Sequence, residues 1–249
     1  MKKLFYIAMA LFAAVGINTS CGVESEDSNV FVSIATVVDG TSSIPYYVVF
    51  DDGKEAYVTN TNEWSPSFSE TKTELRYVLA YEVVNETSSI FDMEIKIVEI
   101  TPINTQSSLI FASGEDYTSE TGWQTYTSGA SVSTCFFSPA RDYITLVVLF
   151  YGSYSYTSVP KMYLVRSNDI ENSPYKDLYT ADDGYYYLEL YHNDSDYAGT
   201  QQLSTYLSCK IPGVEAIKAQ YNGLKILAIN HSTNRPEVYT FNFTTEELQ

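Results

Sequence analysis

The sequence predicts an all-β protein of two domains, a five-stranded barrel followed by a seven-stranded β-sandwich. Three observations carry that prediction. From Val30 onward apolar residues recur at every second position, the period of a half-buried strand. Turn signals such as Asp51-Asp52-Gly53 and Asp182-Asp183-Gly184 separate these stretches; Asp bonds its own backbone there and Gly supplies a positive φ. Gly213–Tyr221 is the sole helical candidate.

Taken in order, Val30, Val32, Ile34, Thr36 and Val38 share one face of a first strand, which Asp39-Gly40 ends. Tyr46–Phe50 is a second, and Glu55–Thr59 returns across the Asp51-Asp52-Gly53 turn. Leu75, Tyr77, Leu79, Tyr81 and Val83 alternate with Arg76, Val78, Ala80 and Glu82 in a fourth. Phe91, Met93, Ile95 and Ile97 mark a fifth, and the broken alternation at Ile97-Val98 predicts a β-bulge. Five strands in residues 30–103 suit a closed barrel of the OB type, since closure removes the edges. Residues 104–129 are rich in Ser, Thr and Gly and are expected to connect the domains, with a short edge strand at Ser108–Ala112. Seven strand patterns follow within residues 130–249: Val132–Phe137, Tyr143–Tyr151, Lys161–Arg166, Tyr185–His192, Leu203–Ile211, Leu224–Ile229 and Val238–Phe243. That number suits a sandwich. Tyr143–Tyr151 is apolar except at Thr145, as a strand covered on both faces should be.

The N-terminus reads as an address. Lys2 and Lys3 precede an apolar run of 12 residues, Leu4–Val15. That is too short to span a bilayer and right for a signal-peptide core. Small and polar residues then lead to Cys21, so residues 1–20 resemble a bacterial lipoprotein signal, although Asn18 stands where an aliphatic residue is usual. The resemblance implies cleavage after Ser20 and acylation of Cys21. Residues 21–29 hold Glu24, Glu26 and Asp27 and form an acidic tether like the surface-export signal of Bacteroidota lipoproteins. The expected place is the outer membrane or cell surface, with a lipid anchor instead of a spanning helix. The chain carries 31 Asp+Glu against 14 Lys+Arg, a net charge of −17. Cleavage would remove two lysines and no acid. Such a balance argues against nucleic-acid partners, and the chain is expected to be a monomer.

With the strands placed, the chain resembles the NigD-like family of Bacteroidota lipoproteins. Val32-Ser33-Ile34-Ala35-Thr36-Val37-Val38, Val49-Phe50-Asp51-Asp52-Gly53-Lys54 and Leu75-Arg76-Tyr77-Val78-Leu79-Ala80-Tyr81 carry the likeness in the N-terminal half. Leu188-Glu189-Leu190-Tyr191-His192-Asn193 carries it in the C-terminal half, although Tyr191 stands where the family often has a basic residue. The resemblance implies an N-terminal OB domain, a C-terminal sandwich and a bacteriocin-associated, immunity-like role. It brings no catalytic residues.

Residue by residue, chemistry is scarce. The two Asp-Asp-Gly stretches lack the alternating ligands and distal Glu of a calcium loop and read as turns. Asn193-Asp194-Ser195-Asp196 has the alternation but neither the glycine nor the distal glutamate. His192 reads as a hydrogen-bonded strand-end residue and His231 as a hairpin-loop residue. No Gly-x-Ser-x-Gly elbow is present. No catalytic set, cofactor or metal site is therefore assigned. Cys135 and Cys209 remain as a candidate disulfide, the alternative being two buried thiols. The 23 tyrosines suit strands, but Tyr also makes rigid contact surfaces. Tyr185, Tyr187 and Tyr191 share a face with Glu189 that reads as exposed, and Trp64 and Trp123 sit in loop-like stretches. These five are the candidate contact aromatics for a protein or glycan ligand. The function expected is a non-enzymatic envelope binding module. A fimbrial-type component and a glycan-acting enzyme are the remaining alternatives.

Overall fold

A computed structural model describes residues 30–41, 43–69, 73–88, 90–153, 161–193 and 199–243. The signal, the tether, Cys21 and most of the Asn193–Asp196 cluster lie outside them. Five strands form the N-terminal unit: β1 (Val30–Asp39), β2 (Tyr46–Phe50), β3 (Glu55–Val58), β4 (Glu74–Asn85) and β5 (Met93–Pro102). They close into a barrel in the order β1-β2-β3-β5-β4. β3 runs parallel to β5, and β1 runs antiparallel to both of its neighbours. Ala35, Val37, Val48, Ala56, Val58, Leu79 and Ile95 fill the interior without solvent exposure. The bulge lies at the expected place: Ala80 pairs with Glu99 and Tyr81 with Ile97, so Val98 is the extra residue. Gly53 turns β2 into β3 at φ 89°, where a side chain would strain the backbone.

Nine strands build the C-terminal unit. The seven expected ones are β8 (Ala130–Ser138), β9 (Tyr143–Gly152), β10 (Lys161–Ser167), β11 (Tyr185–Asn193), β12 (Gln201–Lys210), β13 (Gly223–Ile229) and β14 (Pro236–Asn242). Two short strands, β6 (Asn104–Gln106) and β7 (Ile110–Ala112), come from the stretch expected to be a connection. One sheet has the order β6-β12-β9-β8, the other β14-β13-β11-β10-β7. Residues 104–129 are thus largely part of the sandwich. β7 falls within the edge strand expected at Ser108–Ala112, while the high Ser, Thr and Gly content hid β6, because a three-residue strand buries too few side chains to leave a period of two. Gln106 reinforces the arrangement: its side-chain amide donates to the Leu164 carbonyl and accepts from the Leu164 N–H, both at 2.8 Å, tying β6 to β10 across the two sheets. The remaining elements are α1 (Gly114–Thr118), α2 (Val214–Gln220, in the expected helical stretch) and short 3-10 turns.

Ile144, Leu146, Val148, Leu164, Leu188, Leu190, Leu207, Leu224 and Ile226 pack between the two sheets. One end of the opposite face of β9 and β12, formed by Tyr143, Thr145, Ser208 and Lys210, meets the barrel. Arg76 of β4, only 2% exposed, reaches into that contact. Its guanidinium pairs bidentately with Asp51 at 2.5 and 3.0 Å and donates to Thr36 of its own domain. It also donates to Thr145 at 3.0 Å and Ser208 at 3.3 Å of the sandwich, and stacks on Tyr143. Beside it, Glu74 accepts from Arg141, Tyr143 and Lys210. This joint buries Tyr143 and Thr145 of β9 on the face turned away from the sandwich core, while Val147 and Leu149 further along that face are half-buried.

Cys135 and Cys209 are not bridged. Cys135 lies on β8 opposite Leu146, and Cys209 lies on β12 opposite Ile144. β9 stands between them, so the two backbones are about two strand spacings, or ~9–10 Å, apart. A disulfide tolerates no more than about 7 Å. The alternative of two unbridged thiols holds, with Cys209 buried and Cys135 half-buried; the missing information was that a third strand separates the two.

Candidate functional site

The outer face of the five-stranded sheet is where the sequence-predicted tyrosines meet. On β11, Tyr185, Tyr187, Glu189 and Tyr191 point away from the sandwich core. That face is not open. Residues 113–128 and 168–182 fold across it as an irregular outer layer, packing Tyr117, Tyr175, Trp123, Tyr126 and Tyr179 onto Val165, Tyr191 and Leu227. The expectation of an exposed tyrosine face is corrected here: Tyr191 is 1% exposed and Glu189 is fully buried. Alternation along β11 could not reveal this, because the covering residues lie distant in sequence.

Glu189 organises the cover. It pairs laterally with Val165 of β10 and Leu227 of β13, both fully buried, so no cation flanks it within the sheet. Its Oε1 accepts from Ser173 Oγ at 2.5 Å and Tyr179 OH at 2.7 Å. Its Oε2 accepts from Tyr117 OH at 2.7 Å and Tyr191 OH at 2.8 Å. Four donors fill the roughly four lone-pair sites of a carboxylate. Tyr117 comes from α1, Ser173 and Tyr179 from the 168–182 segment, and Tyr191 from β11 itself. One side chain thereby pins both covering segments to the sheet. Burial, and then the Glu189 charge, pushes the hydroxyls of Tyr179 and Tyr191 far above the ordinary phenol range. They act as hydrogen-bond donors and not as acids. The two segments also meet each other closely: a methyl group added at Gly114 would stand 2.5 Å from Asp169 Oδ2.

At the surface of this cover lies an aromatic patch. The Trp123 ring is 5.3 Å from Tyr126, 5.7 Å from Tyr163 and 5.0 Å from Tyr191, centroid to centroid. Trp123, Tyr126 and Tyr163 are each partly exposed. Further along, Lys225 Nζ lies 4.7 Å from the Tyr185 ring and 5.4 Å from the Tyr187 ring. It binds Asp183 at 2.5 Å. Burial opposes ionisation of Asp183, but the hydrogen bonds from Lys225 and Tyr187 outweigh it and hold its carboxyl below the usual range. The Asp182-Asp183-Gly184 stretch is thus a turn that also supplies an ion pair.

The other sequence-predicted residues lie elsewhere. Trp64 covers the barrel, edge-on to Tyr46 and Tyr77 at 5.3 Å each, with its carbonyl accepting from Tyr46 OH. It shares no site with Trp123. His192 is buried, its Nδ1 3.1 Å from the Gly129 carbonyl. His231 Nδ1 lies 2.6 Å from Ser131 Oγ at the β13–β14 hairpin, and burial lowers its pKa. Among the described residues, no group of three or more His, Cys, Asp or Glu is placed to hold a metal ion. No helix among them is long and apolar enough to cross a membrane. Two residues central to the structure, Arg76 and Glu189, were not singled out from the sequence. Arg76 stands between Leu75 and Tyr77 and Glu189 between Leu188 and Leu190, and a charge amid apolar neighbours is the signal by which they were legible.

Residues 126–243 match the NigD-like C-terminal beta sandwich domain. Solved structures share the fold across nearly the whole chain. A Bacteroides vulgatus protein of unknown function is 19% identical with a TM-score of 0.60, over 88% of this chain and 93% of that one. A Bacteroides fragilis protein provisionally named a lipoprotein is 16% identical with a TM-score of 0.55, over 87% and 98%. A NigD-like immunity protein from Bacteroides caccae is 13% identical with a TM-score of 0.52, over 86% and 97%. No curated protein matches significantly. The chain therefore carries a NigD-like β-sandwich behind a five-stranded barrel.

Proposed function

We propose that this chain is a non-enzymatic lipoprotein of the bacterial outer membrane or cell surface, anchored through Cys21 and acting as a monomeric binding module. The observation that carries the reading is the patch of Trp123, Tyr126 and Tyr163. Large aromatics with amphipathic rings are held partly exposed on a cover locked by the Glu189 hydroxyl cage. Rigid aromatic anchors bind at low entropic cost. The patch lies on the far side of the sandwich from the barrel, and so away from the tether. Polysaccharide or protein is the ligand class that such a surface fits. The test is affinity electrophoresis of the mature protein through gels containing soluble envelope and dietary polysaccharides, beside an assay for released reducing ends. Retardation that Trp123→Ala and Tyr163→Ala abolish, without release of reducing ends, is expected. Turnover of polysaccharide or peptidoglycan would overturn the reading.

An immunity-like role is the second reading, favoured by the NigD-like domain and by the fold shared with the Bacteroides caccae immunity protein. It predicts that deleting the gene sensitises the cell to a toxin encoded beside it.

A further inference from the structure

We propose that the open end of the barrel beside the tether docks on the lipid surface in which the Cys21 anchor sits, and that this surface is zwitterionic. The inference rests on the anchor reading above. It starts from a concavity of about 520 Å³ lined by Phe31, Val83, Val84, Glu86 and Met93. Phe31 is the second residue of β1, Val83 and Val84 close β4, and Met93 opens β5. All belong to the barrel end where the chain enters from residues 21–29. Phe31 stacks on Tyr81 at 5.7 Å, which fixes the floor of the concavity. Of its lining, Val84 is 57% exposed; Ile90, in the loop between the lining residues Glu86 and Met93, is 72% exposed. Of the other large exposed hydrophobics among the described residues, Val98 lies at the β5 bulge of the barrel, and Phe111, Tyr151 and Ile170 lie on the sandwich. Exposed apolar residues gathered at one rim mark an interaction surface where scattered ones do not.

The occupant follows from the length of chain that precedes β1. Eight residues lie between Cys21 and Val30, and the nine steps from one to the other, fully extended, reach about 30 Å at most. A lipid on Cys21 therefore keeps this end of the barrel within one tether length of the bilayer, while the two-sheet sandwich projects beyond it. Charge selects the headgroup. Glu86 lines the concavity and Asp92 and Glu94 border the same loop, so an anionic lipid is repelled and a zwitterionic one is accepted.

The experiment uses the acylated full chain, reconstituted into vesicles of phosphatidylethanolamine and phosphatidylcholine. Amide hydrogen exchange is read by mass spectrometry against the unacylated Cys21→Ser chain in buffer. Peptides spanning 82–94 are expected to exchange about tenfold more slowly on the vesicle, with those spanning 113–128 unchanged. The double variant Val84→Asp, Ile90→Asp alters only exposed side chains. It should stay anchored and folded while losing that protection. An anchored chain with unchanged exchange at 82–94 overturns the docking alone. Equal protection on vesicles rich in phosphatidylglycerol overturns the zwitterionic assignment. An N-terminal peptide whose mass shows no acyl chains brings down the anchor, and the docking with it.

Discussion

Replacing Glu189 by Leu should unfasten the outer layer of the sandwich. The substitution puts an apolar side chain of similar size between Val165 and Leu227, and removes the acceptor of four hydroxyls. A buried donor left without a partner costs about 1–3 kcal/mol. Serine and tyrosine hydroxyls can rotate, and the charged carboxylate no longer has to be desolvated, so the low end applies to each. The four together give a loss on the order of 4 kcal/mol. For a domain of this size that lowers Tm by roughly 8–16 °C. Glu189→Gln retains one carbonyl oxygen and offers an N–H pair toward which two hydroxyls can turn. Its cost should be about half as large, ~2 kcal/mol. The assay is urea unfolding followed by Trp fluorescence, since Trp123 lies on the affected layer and Trp64 on the barrel. Loss is expected in the Trp123 transition, with the order native, Gln, Leu. A Leu variant as stable as the native chain would refute the reasoning. It would mean that desolvating the carboxylate costs as much as its four hydrogen bonds return.

Four further outcomes are expected. Arg76→Met should cost about 3 kcal/mol, at the low end for a broken buried pair, because Asp51 is one-fifth exposed and Thr145 and Ser208 keep their bond to each other; calorimetry should show the barrel and sandwich transitions separating. Reductant should leave Tm and non-reducing gel mobility unchanged, and Cys209, whose thiol burial pushes up to about 12, should resist alkylation until the chain unfolds. Tyr46 and Tyr143 are pushed up to about 12, chiefly by burial, from an ordinary value near 10. Their folded pKa exceeds the unfolded one, so their contribution is complete below pH 10 and is lost as pH rises toward 12; a phenolate absorbance titration should show these groups ionising together with unfolding. Trp64→Ala should cost about 3 kcal/mol through lost barrel cover, with polysaccharide retardation intact, which separates its role from that of Trp123.

Much of the fold was legible because strand alternation is a local property. Every expected strand exists, the bulge falls at Val98, and the helix falls within Gly213–Tyr221. The short strand β6 was the weak point, since three residues seldom show a period, whereas β7 falls within the edge strand expected at Ser108–Ala112. The site was less legible. Tyr185, Tyr187 and Tyr191 lie on the face that alternation assigns them, yet Tyr191 is buried. Trp64 and Trp123 read alike in the sequence, as large aromatics in loops, but they lie on different domains.

What the sequence determined by itself is the direction of each side chain along a strand and the turns between strands, because backbone geometry and neighbouring residues set both. What only the tertiary structure decided is what each face meets. The barrel meets one end of the outer face of β9 and β12, and the segments 113–128 and 168–182 cover that of β11. Buried charges at Arg76 and Glu189 are tolerated only because five and four hydrogen bonds respectively, most of them from residues far away in the chain, converge on them. Burial depends on partners brought together by folding, and an alternating pattern carries no record of which partners those are.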